Sequence, residues 1–126
     1  MYLATHRPEP IGPVTVAVPG TPVKLTTWLE AHGMTSGDRF ACNKILIRTF
    51  GNGVLNPVTA AVNAGNVYIG TSAMNKATMV GVIDTLQPGE FWTITEPEAR
   101  NVYDLSKYYI DADSANDGVY GNADQV

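Results

Sequence analysis

Charged side chains are scarce in this sequence. They account for 16% of the 126 residues, whereas typical soluble domains carry about 25%. The eight Lys and Arg residues are outnumbered by twelve Asp and Glu residues, which gives a formal net charge of −4. The basic residues do not cluster. Because nucleic-acid binding relies on cationic side chains that neutralise phosphate groups, we expect no DNA or RNA partner.

Cysteine and long apolar runs are equally scarce. Cys42 is the one cysteine, so the chain cannot form an internal disulfide, which favours synthesis and folding in the cytosol. The N-terminal residues show no basic segment followed by an apolar one, so we expect no signal peptide. No apolar run approaches the roughly 20 residues of a membrane-spanning helix. The sequence therefore predicts a soluble protein with no membrane partner.

Short β-prone runs separated by turn residues fill most of the chain. In the strongest run, Ile45 and Ile47 point to one face and the residues between and beside them point to the other. Strands are predicted at 14–18, 23–27, 42–50, 58–62, 66–70, 79–83, 91–95, 108–111 and 119–120, and short helical turns at 28–33 and 97–99. The first two strands form either a hairpin or a connection between two sheets, and Asp117-Gly118 predicts a type I′ hairpin between the last two. This pattern predicts an all-β fold, a β-sandwich with the jelly roll as one specific version, over residues 14–126.

A proline-rich segment precedes the first predicted strand. Pro8, Pro10 and Pro13 fix the backbone and remove hydrogen-bond donors, so residues 1–13 cannot form a helix or a central strand. We expect an extended arm. It is either a floppy terminus or an arm that lies on a neighbouring subunit, with Tyr2 and Leu3 as anchors.

Residues with catalytic or metal-binding chemistry are present but form no recognised motif. Asp111, Asp113 and Asp117 make an acidic cluster whose spacing does not match a calcium loop, so turn formation is the favoured role and a weakly bound cation the lesser alternative. His6 and His32 lack partners at zinc-ligand spacing. Cys42 at the start of the strongest strand is interpreted as a small buried hydrophobe rather than a nucleophile. We therefore predict no catalytic residues, cofactor or structural metal.

The aromatic residues suggest a binding surface. Phe91 and Trp92 are neighbours on a predicted strand and point to opposite faces, so at least one lies off the main core and needs a partner surface or a loop to cover it. Trp28 and Trp92 either fill the core, form a subunit contact or provide a platform on which sugars stack.

Five motifs in order resemble a family of small virion structural proteins of tailed bacteriophages. They are VTVAVPGTPVKLT (14–26), FACNKILIR (40–48), GNVYIGTSAM (65–74), LQPGEFWTI (86–94) and VYDLSKYYIDADSANDGVY (102–120). The resemblance covers roughly residues 14–120 and implies a β-sandwich module that decorates or cements a capsid, or that lies at the neck, tail or fibre base. It implies no catalytic residues.

The leading hypothesis is a capsid decoration or cement protein that stabilises the shell by binding the major capsid protein. The alternatives are another location in the virion and a carbohydrate-binding module. We expect a homo-oligomer located in the virion, with the major capsid protein or other virion proteins as partners. The candidate partner contacts are Tyr2, Leu3, Pro8, Pro10, Trp28 and Trp92.

Overall fold

A computed structural model of the chain describes residues 7–95 and 102–126. These residues form ten strands, one short α-helix and one 3-10 turn. The elements are β1 (Arg7–Pro10), β2 (Val14–Thr15), β3 (Val23–Lys24), α1 (Thr27–Ala31), β4 (Ala41–Thr49), β5 (Val67–Asn75), β6 (Val80–Leu86), β7 (Phe91–Thr95), β8 (Tyr103–Asp104), the 3-10 turn (Leu105–Lys107), β9 (Tyr109–Ala112) and β10 (Gly118–Gln125).

The strands form two antiparallel sheets. Sheet A has the order β1-β10-β4-β7, with β2 also paired to β10 and β8 to β4. Sheet B has the order β3-β9-β5-β6. The chain passes repeatedly from one sheet to the other, since β2, β4, β7 and β10 belong to sheet A while β3, β5 and β9 belong to sheet B. The predicted all-β, sandwich-like fold is confirmed.

The core lies between the inner faces of the two sheets. Ile45 and Ile47 from β4 are fully buried there, as the alternation of the sequence predicts. The pairing of β4 with β10 shifts at Asp124/Gln125, and this irregularity lets both Cys42 and Ile45 face the core. The other fully buried side chains include Ile11, Val16, Leu25, Val67, Ile69, Leu105, Ile110 and Val119. Burial of each Ile or Leu side chain contributes roughly 1.5–3 kcal/mol to folding.

The described part of the predicted N-terminal arm is extended, and it joins the sandwich of its own chain. Arg7–Pro10 pairs with β10 as an edge strand of sheet A, and the Ile11 N–H donates to the Gly121 carbonyl at 3.1 Å. Ile11 itself is fully buried. Prolines are tolerated at a sheet edge because their missing donors would have faced outward. Tyr2, Leu3 and His6 lie outside the described residues.

The two predicted hairpins resolve differently from one another. The connection at 16–22 joins β2 in sheet A to β3 in sheet B, which is the second of the two alternatives. The type I′ hairpin at Asp117-Gly118 is wrong, because β9 belongs to sheet B and β10 to sheet A. Asn116 adopts a positive φ of 67°, so the chain does turn at this point. After the turn, however, the chain enters sheet A instead of pairing with β9.

The predicted strand at 58–62 is also wrong. Asn56 begins a single capped turn instead: its Oδ1 accepts from the Val58 N–H at 2.9 Å, and its carbonyl accepts from the Ala60 N–H at 2.7 Å. Asn followed by Pro is a helix-start signal, with Asn as the cap and Pro57 in the first position. The helical turn predicted at 28–33 is confirmed as α1, whereas the turn predicted at 97–99 lies outside the described residues.

Candidate protein-docking face

The outer face of sheet A carries a row of large side chains across three strands. Arg48 in β4 is in register with Tyr120 in β10 on one side and with Phe91 in β7 on the other. Directly opposed residues of antiparallel strands project to the same face of a sheet. Since Ile45 and Ile47 of β4 point into the core, Arg48 and its two register partners project outward.

Phe91 is the exposed member of this row. Its side chain is 58% exposed, and the Arg48 guanidinium carbon lies 5.9 Å from the centre of its ring. Tyr120 stacks on Phe50, with ring centres 5.0 Å apart, and so covers a ring that is only 3% exposed. The row therefore consists of Tyr120 stacked on a buried ring, Arg48 near an aromatic ring, and the exposed Phe91.

A second row continues the same face toward the edge of the sheet. This row crosses four neighbouring strands of sheet A. Its members, each in register with the next, are Pro10 in β1, Asn122 in β10, Leu46 in β4 and Thr93 in β7. Pro10 is exposed and Leu46 is half-buried. The backbone of Pro8 is in register with that of Asp124. Pro10 thus shares a sheet face with Phe91, and we refer to Pro10, Leu46, Arg48, Phe91 and Tyr120 as the docking face.

The two tryptophans do not belong to the docking face. Trp92 is in register with Ile47, so it points inward, and its ring lies 5.7 Å from that of Tyr108. Trp28 in α1 is half-buried against the core, and the His32 ring stacks on it at 4.1 Å with an interplanar angle of 19°. The expectation that one member of the Phe91-Trp92 pair lies off the core is confirmed, and that member is Phe91.

Arg48 and Tyr120 were missed as candidate contacts by the sequence analysis. The alternation of β4 already placed Arg48 on the face opposite Ile45 and Ile47. The missing information was the register, which sets Phe91 and Tyr120 on either side of it. Register between strands distant in sequence is set by tertiary packing, so no local signal could have joined these three residues.

The carboxylates of the acidic cluster are used to hold loops together. Asp117, 5% exposed, accepts from the Ala64 N–H at 3.0 Å and the Gly65 N–H at 2.8 Å. Asp111, 1% exposed, accepts from the Gly20 N–H at 2.9 Å. Among the described residues, no group of three or more His, Cys, Asp or Glu side chains could hold a metal ion. The cluster therefore fastens distant connections to the C-terminal part of the chain.

Asp113 completes an ion pair on the surface of sheet B. Its carboxylate accepts from the Tyr68 hydroxyl at 3.1 Å and from Lys76 Nζ at 3.3 Å. Lys76 Nζ also donates to the Ala112 carbonyl at 2.7 Å. These contacts join β5 and the segment after it to the end of β9.

Cys42 is a buried thiol. Its side chain is fully buried, and Sγ donates to the Tyr103 carbonyl at 3.4 Å. Burial in the first place, and then the nearby Asp104 carboxylate, raise the pKa of the thiol to about 11. A thiol with such a pKa is protonated near neutral pH. The predicted burial of Cys42 is confirmed.

A pocket of about 380 Å³ lies beside β8 and is lined by Arg39, Ala41, Val102, Tyr103, Asp104 and Lys107. Partial burial raises the pKa of Asp104, but hydrogen bonds from Ser106 and from the Phe40 N–H outweigh it, so the pKa lies below its ordinary value. The bond from the Ser106 N–H caps the 3-10 turn, and the bond from the Phe40 N–H joins Asp104 to the residue before β4. The Asp104 carboxylate is thus already engaged by the protein.

None of the helices in the described part of the chain is long and apolar enough to cross a membrane. Comparison with protein-family models, with curated proteins and with solved structures found no match.

Proposed function

We propose that this protein is a structural component of a tailed-bacteriophage virion. In this proposal it is a capsid decoration or cement protein that stabilises the shell by binding the major capsid protein through the docking face. Two observations support the proposal. The five motifs along the chain resemble small virion proteins, and the docking face leaves Phe91 58% exposed beside Arg48.

The exposed aromatic–arginine row is the observation that carries a protein-binding function. Aromatic residues and arginine are enriched at the energetic centres of protein interfaces, where lysine and acidic residues are depleted. Covering the exposed part of Phe91 contributes about 1–2 kcal/mol per copy, from the usual value for burial of a phenylalanine. Repetition over a capsid lattice adds many such contacts, so a modest contact in each copy gives firm attachment through multivalency.

The alternative location is the neck, tail or fibre base, and the same face would bind the partner there.

The carbohydrate hypothesis required an exposed tryptophan platform. Both tryptophans are half-buried and packed against the core, and one face of Trp28 is covered by His32. The geometry therefore favours protein docking over sugar stacking.

The binding test compares Phe91→Ser with Ile83→Ser, which removes another exposed apolar side chain, 49% exposed, from β6 in the other sheet. Both variants are mixed with purified shells of the phage that encodes the chain, depleted of this protein, and bound protein is measured by co-sedimentation. We expect Phe91→Ser to weaken binding by about 10-fold or more and Ile83→Ser to bind like the native protein. Equal binding by both variants overturns the docking face.

Copy number per purified particle tests the location. Quantitative mass spectrometry against the major capsid protein gives on the order of hundreds of copies for a lattice-bound cement protein. A few to a few dozen copies would place the protein at the neck, tail or fibre base. Absence from particles overturns the virion proposal.

A further inference from the structure

Two dipeptides of this chain share the same potential backbone chemistry. They are Asn52-Gly53, in the loop after β4, and Asp117-Gly118, where β10 begins. In such a pair the backbone nitrogen of the glycine can attack the side-chain carbonyl carbon of the residue before it, because glycine has no Cβ to hinder the approach. Both groups must be free to move, so the hydrogen bonds at each pair decide whether it reacts.

The Asp117-Gly118 pair is held at both reacting groups. Asp117 is 5% exposed, and its carboxylate accepts from the N–H groups of Ala64 at 3.0 Å and Gly65 at 2.8 Å. The Gly118 N–H donates to Asn63 Oδ1 at 3.0 Å. An attack by this nitrogen would leave buried polar groups without their partners, which is costly. The fold therefore protects this pair.

The Asn52-Gly53 pair is exposed at the centre of a tight turn. Its φ angles of 52° and 86° match a type I′ turn, which the Val54 N–H closes by donating to the Gly51 carbonyl at 3.0 Å. That bond uses neither the Asn52 amide nor the Gly53 N–H. Within the described residues 7–95 and 102–126, neither of these two groups has a hydrogen-bond partner. One backbone hydrogen bond thus closes the turn, and both reacting groups are free.

Two further asparagines in the same loop lack this freedom. Asn56 and Asn63 are 1% and 4% exposed, and both side-chain amides donate to backbone carbonyls. Asn56 precedes Pro57, whose nitrogen has no hydrogen to lose. Asn63 precedes Ala64, whose Cβ hinders the approach. Asn52 differs from both in its exposure, in its unbonded amide and in the glycine that follows it.

We propose that Asn52 is a site of spontaneous deamidation in the folded protein. The Gly53 nitrogen forms a bond to Asn52 Cγ and gives up its proton. The bond from Cγ to Nδ2 breaks, Nδ2 leaves as ammonia with that proton, and a five-membered succinimide remains. Water then opens the ring at either of its two carbonyl carbons, which gives aspartate or isoaspartate at position 52 and adds one negative charge to the net charge of −4. The reaction needs no partner, so the proposal does not depend on the proposed function.

The reaction would disturb the contact between this turn and the connection from β6 to β7. A Cβ added at Gly89 would lie 2.6 Å from Asn52 Nδ2, so the Asn52 amide packs directly on the Gly89 backbone. The next residue is Glu90, whose carboxylate accepts from the Gln87 N–H at 2.6 Å. Aspartate at position 52 therefore introduces a second negative charge beside this connection, and isoaspartate lengthens the backbone of the turn. We expect both products to weaken the contact.

Peptide mapping of the aged full chain tests the proposal. The native protein is incubated at neutral and at mildly alkaline pH, beside a sample unfolded in guanidinium chloride, and the products at positions 52, 63 and 117 are identified by mass spectrometry. We expect Asn52 in the native protein to deamidate no more than about 10-fold more slowly than in the unfolded chain, because a single hydrogen bond closes the turn. The rate should rise with pH, since the glycine nitrogen must lose its proton.

The protected pair and a variant serve as controls. Isoaspartate at position 117 should form in the unfolded chain and be slowed by more than about 100-fold in the native protein, where several buried hydrogen bonds must break. Asn52→Gln should stay intact, because its longer side chain would have to close a six-membered ring.

Unfolding in urea tests the structural consequence. Asn52→Asp reproduces the aspartate product, and Thr59→Asp adds the same charge at an exposed position of the same loop. We expect Asn52→Asp to unfold at a lower urea concentration than Thr59→Asp, because only the first places its charge against the connection that carries Glu90.

Survival of Asn52 in the native protein after the unfolded chain has converted overturns the proposal. So does conversion of position 63 or 117 in the native protein at a rate comparable with that of position 52, because the fold would then not select the site. Equal unfolding midpoints for Asn52→Asp and Thr59→Asp overturn the inferred effect on the contact.

Discussion

Replacing Asn63 by Ala should destabilise the whole domain, although Asn63 lies in a loop. The side-chain amide of Asn63 forms hydrogen bonds with both the N–H and the carbonyl of Gly118, the first residue of β10. A neighbouring strand would bind the same two backbone groups. Asn63 and Gly118 are both buried. The Asn63 N–H also donates to the Phe50 carbonyl at 2.9 Å, so this residue closes the loop onto the end of β4.

The expected cost follows from the two hydrogen bonds that the variant removes. Asn63→Ala leaves the Gly118 N–H and carbonyl without these partners, and a buried polar group that loses its partner costs about 1–3 kcal/mol. For two groups, with partial relief from water entering the space, we expect the free energy of unfolding to fall by about 3 kcal/mol. Thr59→Ala, in an exposed part of the same loop, should change it by no more than about 0.5 kcal/mol.

Equilibrium unfolding in urea measures both variants. Trp28 and Trp92 pack against the core, so their fluorescence reports the loss of the sandwich rather than of the loop alone. Equal slopes of the unfolding free energy against urea for the three proteins would show that the same surface is exposed in each. A loss smaller than about 1 kcal/mol for Asn63→Ala would refute the reasoning, because it would show that water satisfies the Gly118 backbone equally well.

Two further predictions concern titratable groups. A hydrogen bond from Lys24 lowers the pKa of Glu30, and it outweighs partial burial. This stabilisation is present above the ordinary pKa of 4.5 and is lost as the pH falls through the lower folded-state value. The difference in unfolding free energy between the native protein and Glu30→Gln should therefore shrink between about pH 7 and pH 3, and a pH-independent difference would contradict this. Cys42, with its pKa of about 11, should resist iodoacetamide in the native protein and react after unfolding in urea. Rapid labelling of the native protein, followed by mass spectrometry, would show that the thiol is accessible.

Local sequence patterns predicted most of the strands but not how they pair. The runs at 42–50, 66–70, 79–83 and 91–95 each coincide with part of a strand, since β propensity and alternation act within a few residues. The predicted strand at 58–62 failed because the cap formed by Asn56 and Pro57 overrode the β propensity of its valines. The Asn56-Pro57 pair is itself a local sequence signal for such a turn.

The proposed sites depend on contacts between residues far apart in the chain. The sequence predicted that either Phe91 or Trp92 lies off the core, and only the pairing of β7 with β4 decided that it is Phe91. The loop from β4 to β5 is bound through Asn63 to Gly118, 55 residues away in the sequence. No local pattern predicts that contact.

The amino-acid sequence by itself determined the all-β class, the buried face of β4 and the burial of Cys42. Each of these depends on alternation or composition within a short segment. The tertiary structure decided which sheet each strand joins, the inclusion of Arg7–Pro10 in sheet A and the exposure of Phe91. A two-residue turn such as Asp117-Gly118 fixes a change of direction but not the strand that the chain meets next. That choice depends on the packing of both sheets around one core, where a shift of one residue would turn every buried side chain outward.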